Sequence, residues 1–317
     1  MAVVSIAQKN DFFLKIDDQT LEEISRLKQQ LRAVILAHNY QLPEIQLVAD
    51  FVGDSLELAL KASTLQGIKY IFFCGVHFMA ETAAILNPEA TVVVPDPNAG
   101  CPLADMIEPE DIDRLRKENP GLAVVAYVNT SAAVKAQVDI CCTSSNAVKV
   151  VESLKDNKII FVPDKNLAYF VAKRTRKELI IWEGFCPTHM RFTVADIERA
   201  RKTYPDAIIM VHPECIPEVQ EAADEVLSTG GMFRLPAVSN ARRFVVGTET
   251  GMLFRLQRTY PDREFYPLHE RVICPNMKKN TLSKLLEQLR NPANVIEVDA
   301  ETATAARKAI ERMLDLS

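Results

Sequence analysis

Continuous apolar runs alternate with amphipathic segments along most of this chain. The runs are rich in Val, Ile and Phe and fall into three groups of three, near 34–37, 70–74 and 91–94, near 123–127, 158–162 and 179–182, and near 207–211, 243–247 and 264–266. Unbroken apolar strands that are separated by helices are typical of parallel sheets covered on both faces. The pattern therefore predicts an α/β fold with one parallel sheet for each group.

The segments between and around these runs carry the apolar spacing of helices. Residues 21–31, for example, place their apolar side chains in a stripe along one face. Further helices are predicted at 44–52, 55–66, 78–86, 282–289 and 303–314. A last strand is predicted at 295–298, whereas Pro236 and adjacent glycines make the interval 230–242 ambiguous.

Polar residues recur at matched positions within the three groups. The first run of each group ends at a ring residue, and a second polar residue follows two positions later, which gives the pairs His38 and Tyr40, Tyr127 and Asn129, and His212 and Glu214. A hydroxyl lies 17 positions after each ring residue, at Ser55, Ser144 and Thr229. A Cys-Pro dipeptide lies 63, 59 or 62 positions after it, at Cys101-Pro102, Cys186-Pro187 and Cys274-Pro275. Such self-similarity indicates a repeated structural unit.

The repeats predict three homologous parallel-sheet α/β/α domains arranged with pseudo-three-fold symmetry around a central site. The predicted domains are residues 1–104, completed by the C-terminal segment 280–317, then 105–190, and then 191–279. A chain of 317 residues with 48% hydrophobic residues is long enough for this division. Functional groups of open parallel sheets gather beyond the carboxyl ends of the strands, so we expect the matched polar residues to converge on one cavity.

Charge and composition exclude several classes of protein. The net charge is -5 and the chain has no basic block, which argues against a nucleic-acid partner. No apolar run approaches the ~20 residues of a membrane span, and the charged residues of segment 9–17 are unlike a secretory signal. We therefore expect a cytoplasmic protein with no membrane contact. Seven cysteines in such a protein favour metal or catalytic use over disulfides.

The three Cys-Pro cysteines, Cys101, Cys186 and Cys274, are candidate metal ligands because each repeat supplies one. Structural zinc sites commonly pair their ligands at Cys-x-x-Cys spacing and use four of them. A 4Fe-4S cluster that is held by three thiolates instead leaves one iron open, and an open iron is a Lewis acid. The alternative is three ordinary buried cysteines. That alternative is preferred for the four cysteines outside the register, which are Cys74, Cys141, Cys142 and Cys215.

The remaining matched residues are candidates for acid/base chemistry and anion binding. Glu214 follows an apolar strand, where a carboxylate near a metal could move protons, and His38 and His212 are candidate active-site histidines because they occupy equivalent positions. Ser55, Ser144 and Thr229 could cap helices or bind anions at helix N-termini, and three hydroxyls in register favour anionic substrates. The other histidines, His77, His189 and His269, lack the register and are interpreted as structural, although His189 lies close enough to Cys186 to contact a metal ligand.

Dispersed motifs in this chain match those of one enzyme family. They are His38-Asn39-Tyr40, Gly53-Asp54-Ser55, Cys101-Pro102, Tyr127-Val128-Asn129, Cys142-Thr143-Ser144, Gly184-Phe185-Cys186, His212-Pro213-Glu214, Ser228-Thr229 and Cys274-Pro275-Asn276-Met277-Lys278. With these motifs the chain resembles the quinolinate synthases over essentially its whole length. The resemblance implies a triangular three-domain fold around a 4Fe-4S cluster that is held by Cys101, Cys186 and Cys274.

The resemblance also implies a reaction and the residues that carry it. Quinolinate synthases are transferases of NAD biosynthesis that condense iminoaspartate with dihydroxyacetone phosphate, with loss of phosphate and water, and an L-aspartate oxidase is the candidate partner that supplies iminoaspartate. The implied substrate contacts are His38, Ser55, Tyr127, Asn129, Ser144, His212, Glu214 and Thr229. The implied catalytic residues are Glu214, Tyr127, His38, His212 and Tyr40.

One feature of the sequence departs from this family, and two alternative functions remain. Some members carry two further cysteines before the last ligand, but Leu268 and Arg271 occupy those positions here, so no local disulfide switch is expected. The same open-iron chemistry also suits an aconitase-like hydro-lyase of a small dicarboxylic acid. A further alternative is a protein without catalytic activity, in which the three cysteines bind structural zinc or sense redox state.

Overall fold

The computed structural model describes residues 16–317, so the predictions for residues 1–15 lie outside the described residues. The strands are β1 Ala33–His38, β2 Phe51–Gly53, β3 Tyr70–Cys74, β4 Thr91–Val93, β5 Ala123–Tyr127, β6 Ile140–Cys142, β7 Lys158–Val162, β8 Glu178–Ile181, β9 Ile208–Val211, β10 Glu225–Val226, β11 Arg243–Gly247 and β12 Glu264–Pro267. The helices are α1 Asp18–Leu31, α2 Pro43–Val48, α3 Ser55–Ser63, α4 His77–Leu86, α5 Pro109–Glu118, α6 Ala132–Lys135, α7 Ala147–Ser153, α8 Lys165–Ala172, α9 Val194–Thr203, α10 Pro217–Ala222, α11 Thr229–Val238, α12 Met252–Thr259, α13 Leu282–Arg290 and α14 Ala300–Leu314.

The strands form three parallel four-stranded sheets that share one strand order. The first sheet is β2-β1-β3-β4, the second is β6-β5-β7-β8 and the third is β10-β9-β11-β12. Every neighbouring pair within these sheets is parallel. The predicted α/β class with three parallel sheets is therefore confirmed. The arrangement of the sheets around an axis stays a prediction.

Each sheet contains one short strand that the apolar pattern does not reveal. The predicted helix 44–52 is wrong at its end, because α2 stops at Val48 and residues 51–53 form β2 along the edge of β1. Strands β6 and β10 occupy the equivalent edges of the other two sheets. A strand of two or three residues is too short to show a period of two, so only the pairing partner defines it.

The C-terminal part of the chain differs from the prediction in one element. The expected strand 295–298 is wrong, since only Val295 pairs, through a single antiparallel bridge to Val93. The closing helix α14 packs against β6 and α6 of the second sheet as well as against α4 and α3 beside the first. The assignment of this segment to the first domain therefore stays a prediction. Across residues 16–317, no helix combines the length and apolar character that a bilayer crossing requires.

In each sheet, an aspartate links the preceding helix to the first long strand through an ion pair and a hydrogen bond. Its carboxylate accepts a hydrogen bond from a strand N–H at 2.7–2.8 Å and pairs with a basic residue in the last turn of the preceding helix. The three sets of aspartate, strand residue and basic residue are Asp50, Ile35 and Lys28, then Asp139, Val124 and Arg116, then Asp224, Ile209 and Arg201. The matched positions therefore include residues that hold helices and strands together, in addition to the polar residues that the sequence singles out.

Replacing Asp224 by Ala is expected to lower the free energy of unfolding by about 1–3 kcal/mol, because the buried N–H of Ile209 then lacks its acceptor. Urea unfolding followed by circular dichroism measures this difference. The control is Asp262→Ala, since the side chain of Asp262 is 73% exposed and pairs with the neighbouring Arg263. A similar shift in both variants would show that the contact to Ile209 contributes nothing specific.

Candidate active site

The carboxyl ends of the strands face a cavity of about 160 Å³. A cavity of this volume has room for on the order of ten water-sized groups. It can therefore hold small molecules but not a polymer. All twelve residues that the sequence singles out line it, namely His38, Tyr40, Ser55, Cys101, Tyr127, Asn129, Ser144, Cys186, His212, Glu214, Thr229 and Cys274. The structure therefore brings together every candidate residue, although their individual roles stay predictions.

The three Cys-Pro cysteines lie at the cavity in loops of one type. A 3₁₀ turn begins three residues after each cysteine, at Ala104–Met106, His189–Arg191 and Met277–Lys279. The carbonyl of each cysteine accepts a hydrogen bond from the N–H four residues further on, at 3.1–3.4 Å. Proline at the second position restrains the start of each loop. The loops thus present three thiols to the same space.

The spacing of these sulfurs does not suit a single metal ion. Among residues 16–317, one trio of candidate ligand atoms lies entirely within 4.8 Å, and it consists of Cys186, His189 and Glu214 rather than the three cysteines. One zinc ion with Zn–S bonds of about 2.3 Å would hold its sulfurs only about 3.8 Å apart. The three cysteine sulfurs are therefore not all within 4.8 Å of one another. Three thiolates are a suitable donor set for a 4Fe-4S cluster.

The trio of Cys186, His189 and Glu214 is explained by hydrogen bonds. Nδ1 of His189 lies 2.7 Å from Oε2 of Glu214 and 3.2 Å from Sγ of Cys186. Ligands of one zinc ion at bonds of about 2.0–2.3 Å lie more than 3 Å apart, so the shorter contact is that of a donor and its acceptor. His189 therefore links the carboxylate to one of the candidate cluster ligands.

Burial keeps the three thiols protonated in the absence of a bound cation. It raises the pKa of Cys101 to about 12, despite backbone N–H groups that point at the sulfur. Burial also raises the pKa of Cys186 and of Cys274. A coordinating metal removes such a proton outright, so these thiols are suited to a metal and poorly suited to act as free nucleophiles.

Glu214 lies at the centre of the hydrogen-bond network. Its side chain is buried, and Oε1 accepts a hydrogen bond of 2.6 Å from the Tyr127 hydroxyl, with the Asn129 amide at 3.5 Å. Burial alone would raise the pKa of Glu214, but the adjacent His189 and His212 and the donors His189 and Tyr127 hold it well below its usual range. The carboxylate is therefore ionised.

His38 and His212 are neutral, and both rings carry their proton on the same nitrogen. Burial lowers the pKa of each to about 3. The backbone N–H two residues further on donates to Nδ1 in both cases, from Tyr40 at 3.2 Å and from Glu214 at 3.3 Å. Because Nδ1 accepts, the proton of the neutral ring resides on Nε2. Each imidazole can therefore donate one hydrogen bond to a ligand.

The interpretation of His189 as a structural residue is incomplete, because this side chain is a central part of the cavity. Its ring stacks on His212 with centroids 4.6 Å apart, and its Nε2 lies 2.9 Å from the hydroxyl of Thr248. That hydroxyl also bonds the hydroxyl of Tyr40. The register gives no signal for His189, since Ala104 and Met277 occupy the equivalent positions. Its distance of three residues from Cys186 was the one available indication.

The three matched hydroxyls are not the helix caps. Asp54 caps α3 through the N–H of Glu57 at 2.8 Å, and Ser228 caps α11 through the N–H of Gly231 at 3.1 Å. Ser55 and Thr229 are the first residues of these helices. Ser144 does not cap a helix either, because α7 begins at Ala147 with Asn146 at the cap position, and Ser144 lies in the turn before it. The hydroxyls at the cavity are therefore available to a ligand.

A network of hydrogen bonds joins the chain segments that carry these hydroxyls. The hydroxyl of Ser145 donates to Asp54 at 2.7 Å and lies 2.7 Å from the hydroxyl of Ser228. Asp54 also accepts the N–H of Gly230 at 3.2 Å. Among residues 16–317, no Lys or Arg lines the cavity. An anion there must therefore be bound by hydroxyls, backbone N–H groups, imidazoles and any bound metal.

The chain matches the family model described as Quinolinate synthetase A protein over residues 22–315. It is 54% identical over 292 residues to a quinolinate synthase of Dehalococcoides mccartyi strain CBDB1, which covers 92% of this chain and 96% of the relative. It is 52% identical over 302 residues to a quinolinate synthase of Thermococcus kodakarensis, which covers 95% and 99%. A quinolinate synthase of Thermodesulfovibrio yellowstonii is 50% identical over 300 residues, covering 94% and 99%.

Proposed function

This chain is an enzyme of the quinolinate synthetase A protein family, and we propose that it condenses iminoaspartate with dihydroxyacetone phosphate to quinolinate, with loss of phosphate and water. The observation that carries the proposal is the convergence of all twelve candidate residues on one cavity. The substrates bring two carboxylates and a phosphate, and the cavity offers hydroxyls, backbone N–H groups and neutral imidazoles as donors.

We propose that Cys101, Cys186 and Cys274 would hold a 4Fe-4S cluster with one open iron. The location of all three at one cavity and their buried, otherwise protonated thiols support this assignment. When bound, such a cluster supplies a Lewis acid at its open iron, which polarises oxygen and eases loss of water.

The protein residues hold the substrates and move protons. The ionised carboxylate of Glu214 accepts a proton from a substrate carbon or nitrogen and returns it to a leaving oxygen. Tyr127 and Asn129 orient this carboxylate through its Oε1 atom. His38 and His212 donate from Nε2 to substrate oxygens, and Tyr40 orients the chain-like intermediate from its place between Thr248 and His38.

We assign phosphate and carboxylate binding to Ser55, Ser144 and Thr229. Ser55 and Thr229 occupy the first turns of α3 and α11, where free N–H groups and the helix dipole favour negative charge. The hydroxyl of Thr229 accepts a hydrogen bond of 3.0 Å from Asn39, which leaves its own proton for a ligand oxygen. These positions support the binding of an anionic substrate group in the cavity.

Replacing Ser144 by Ala is expected to raise the KM for dihydroxyacetone phosphate about tenfold or more while kcat changes little, because a hydrogen bond to a charged group contributes about 1.5–3 kcal/mol. Steady-state kinetics with each substrate varied in turn measures this split. The control is Ser153→Ala, since the Ser153 hydroxyl donates to Val150 within α7. Unchanged KM values in S144A would restrict Ser144 to a role in the turn.

The three domains, 1–104 with 280–317, 105–190 and 191–279, are proposed to surround the cavity with pseudo-three-fold symmetry. The common strand order and the matched aspartates support this arrangement. We propose a cytoplasmic enzyme that receives iminoaspartate from an L-aspartate oxidase.

An assay for quinolinate separates this function from its closest alternative. Protein prepared without oxygen is incubated with iminoaspartate and dihydroxyacetone phosphate, and quinolinate is measured by chromatography. The proposal requires quinolinate that depends on both substrates. An aconitase-like hydro-lyase would instead hydrate or dehydrate a dicarboxylic acid alone, so that result without quinolinate would overturn the proposal.

A further inference from the structure

Three buried side chains lie eight residues after the ring residues, and nothing in the proposed chemistry uses them. They are Gln46, Lys135 and Gln220, which we call the clamp residues, and they are 4%, 0% and 6% exposed. Each lies in the short helix that follows an active-site loop, namely α2, α6 or α10. We propose that the clamp residues are positioning residues, which hold the three active-site loops and fix each loop against a neighbouring sheet.

Gln46 holds the loop that carries His38 and Tyr40. Its Nε2 donates to the carbonyl oxygens of Asn39 at 3.2 Å and Gln41 at 2.9 Å, on both sides of Tyr40. The same nitrogen lies 3.0 Å from the carbonyl oxygen of Gly251, which precedes α12 beside the third sheet, so its two N–H groups are shared among three acceptors. Carbonyl oxygens can only accept, so this contact requires a donor at the end of the side chain.

Gln220 repeats this arrangement on the loop that carries His212 and Glu214. Its Nε2 donates to the carbonyls of Pro213 at 2.8 Å and Cys215 at 2.7 Å, on both sides of Glu214. It also lies 3.1 Å from the carbonyl oxygen of Asn166 in α8, beside the second sheet, so here too two N–H groups are shared among three acceptors. Glu214 is therefore held from the backbone as well as through its carboxylate.

Lys135 performs the same task on the loop that carries Tyr127 and Asn129, with a different side chain. Its Nζ donates to the carbonyl of Thr130, the equivalent of Gln41 and Cys215. The ammonium also lies 5.2 Å from the ring centroid of Phe78 in α4, beside the first sheet. The N–H of Ala132 donates at 2.9 Å to Glu81 of the same helix, which fixes α6 against α4.

The residues that the three clamp residues contact beside the neighbouring sheets also occupy equivalent positions. Gly251, Asn166 and Phe78 each lie four residues after the end of the third strand of their sheet in chain order. The loop of the first sheet is thus tied to the third, that of the third to the second, and that of the second to the first. This complete cycle is unexpected if the three side chains merely fill space. It is expected if each active-site loop must keep its position relative to residues from another sheet.

The chemistry of the site explains why such contacts matter. The donor Tyr127 and its acceptor Glu214 come from different sheets and are 2.6 Å apart. A shift of either loop by about 1 Å would lengthen this bond beyond the usual range and misplace the proton acceptor. We therefore expect loss of a clamp to reduce kcat more than substrate affinity.

The test compares variants that remove the donor with one that exchanges it. Gln46→Met, Lys135→Met and Gln220→Met keep a side chain of similar length without an N–H donor, whereas Lys135→Gln introduces the group that the other two positions already use. We expect the three Met variants to lower kcat about tenfold or more with less than threefold change in KM. We expect K135Q to restore kcat to within about threefold of the unchanged enzyme.

Hydrogen exchange followed by mass spectrometry provides a measurement that is independent of activity. The clamps predict faster exchange of backbone amides in 39–42, 128–131 and 213–216, each in the variant of its own clamp. The control is Gln288→Met, a buried glutamine whose Oε1 accepts N–H bonds from Ala293 and Asn294 away from the cavity. This control should exchange faster near 293–294 and keep its kcat.

The proposal would be overturned by Met variants with unchanged kcat, by a K135Q variant as impaired as K135M, or by loops whose exchange is unaffected. It would also be overturned if Q288M lost as much kcat as the clamp variants, because the loss would then follow from reduced stability alone. The activity measurements rest on the proposed function, whereas the exchange measurements do not. If the unchanged enzyme makes no quinolinate, the exchange results still decide whether the clamps hold the loops.

Discussion

Replacing Glu214 by Gln is expected to lower kcat for the proposed formation of quinolinate by about 10³-fold while the absorbance of the proposed iron-sulfur cluster is unchanged. Gln keeps the size of the side chain and a partner for the Tyr127 hydroxyl, but it cannot accept a proton. A positioned proton acceptor contributes roughly 10²–10⁴-fold to a reaction rate. Quinolinate is measured by chromatography and the cluster by its visible spectrum in the same anaerobic sample.

The control for this prediction is Glu218→Gln, because Glu218 is an exposed carboxylate in the first turn of α10, four residues further along the chain. It should retain the activity of the unchanged enzyme. An E214Q variant with substantial activity would exclude Glu214 as the proton acceptor. A variant that has lost both activity and cluster would show instead that Glu214 supports the metal site through His189.

Removing any of the three Cys-Pro cysteines is expected to abolish the cluster and the activity together. Anaerobic protein should contain about four iron and four sulfide per chain, and Cys101→Ala, Cys186→Ala and Cys274→Ala should each reduce both contents to a small fraction. Two thiolates cannot hold the cubane and its open iron stably. Elemental analysis and sulfide assay give the contents, and electron paramagnetic resonance of the reduced protein reports the cluster.

The matched control for the cysteine variants is Cys74→Ala. Cys74 is fully buried at the end of β3 and does not line the cavity, so this variant should retain iron, sulfide and activity. Zinc without sulfide in the unchanged protein would contradict the cluster assignment and favour a single-ion site. Loss of iron from C74A would show that the cysteine variants report on general folding.

The long strands and the matched polar positions could be predicted from the sequence because each carries a local signal. Strands β1, β5 and β9 are continuous apolar runs, and the ring residue at or just after each run is visible without any knowledge of the fold. Strands β2, β6 and β10 could not be predicted. Each has only two or three residues, and hydrogen bonds to a neighbouring strand define it rather than its own side chains.

The residues of the candidate site that occupy matched positions in the three repeats could be predicted from the sequence, whereas residues outside those positions could not. Glu214 stands in register, but its ionised state depends on His189, which belongs to one repeat only. Thr248 joins Tyr40 to His189 through tertiary contacts between residues more than 50 positions apart in sequence. The clamp residues were in register and were still missed, because glutamine and lysine in a short helix usually lie at the surface.

Within the described part of the chain, residues 16–317, the cavity is lined by neither lysine nor arginine, and this has a consequence for selectivity. Long cationic side chains adapt to many anions, but they lose conformational freedom whenever they bind one. The hydroxyls, imidazoles and helix starts of this cavity are short and are held by their surroundings, so they adapt little. A single inorganic anion can occupy one group of these donors, but it does not carry charges at two separated points. Recognition here therefore depends on the distances between the charges of a ligand more than on their number.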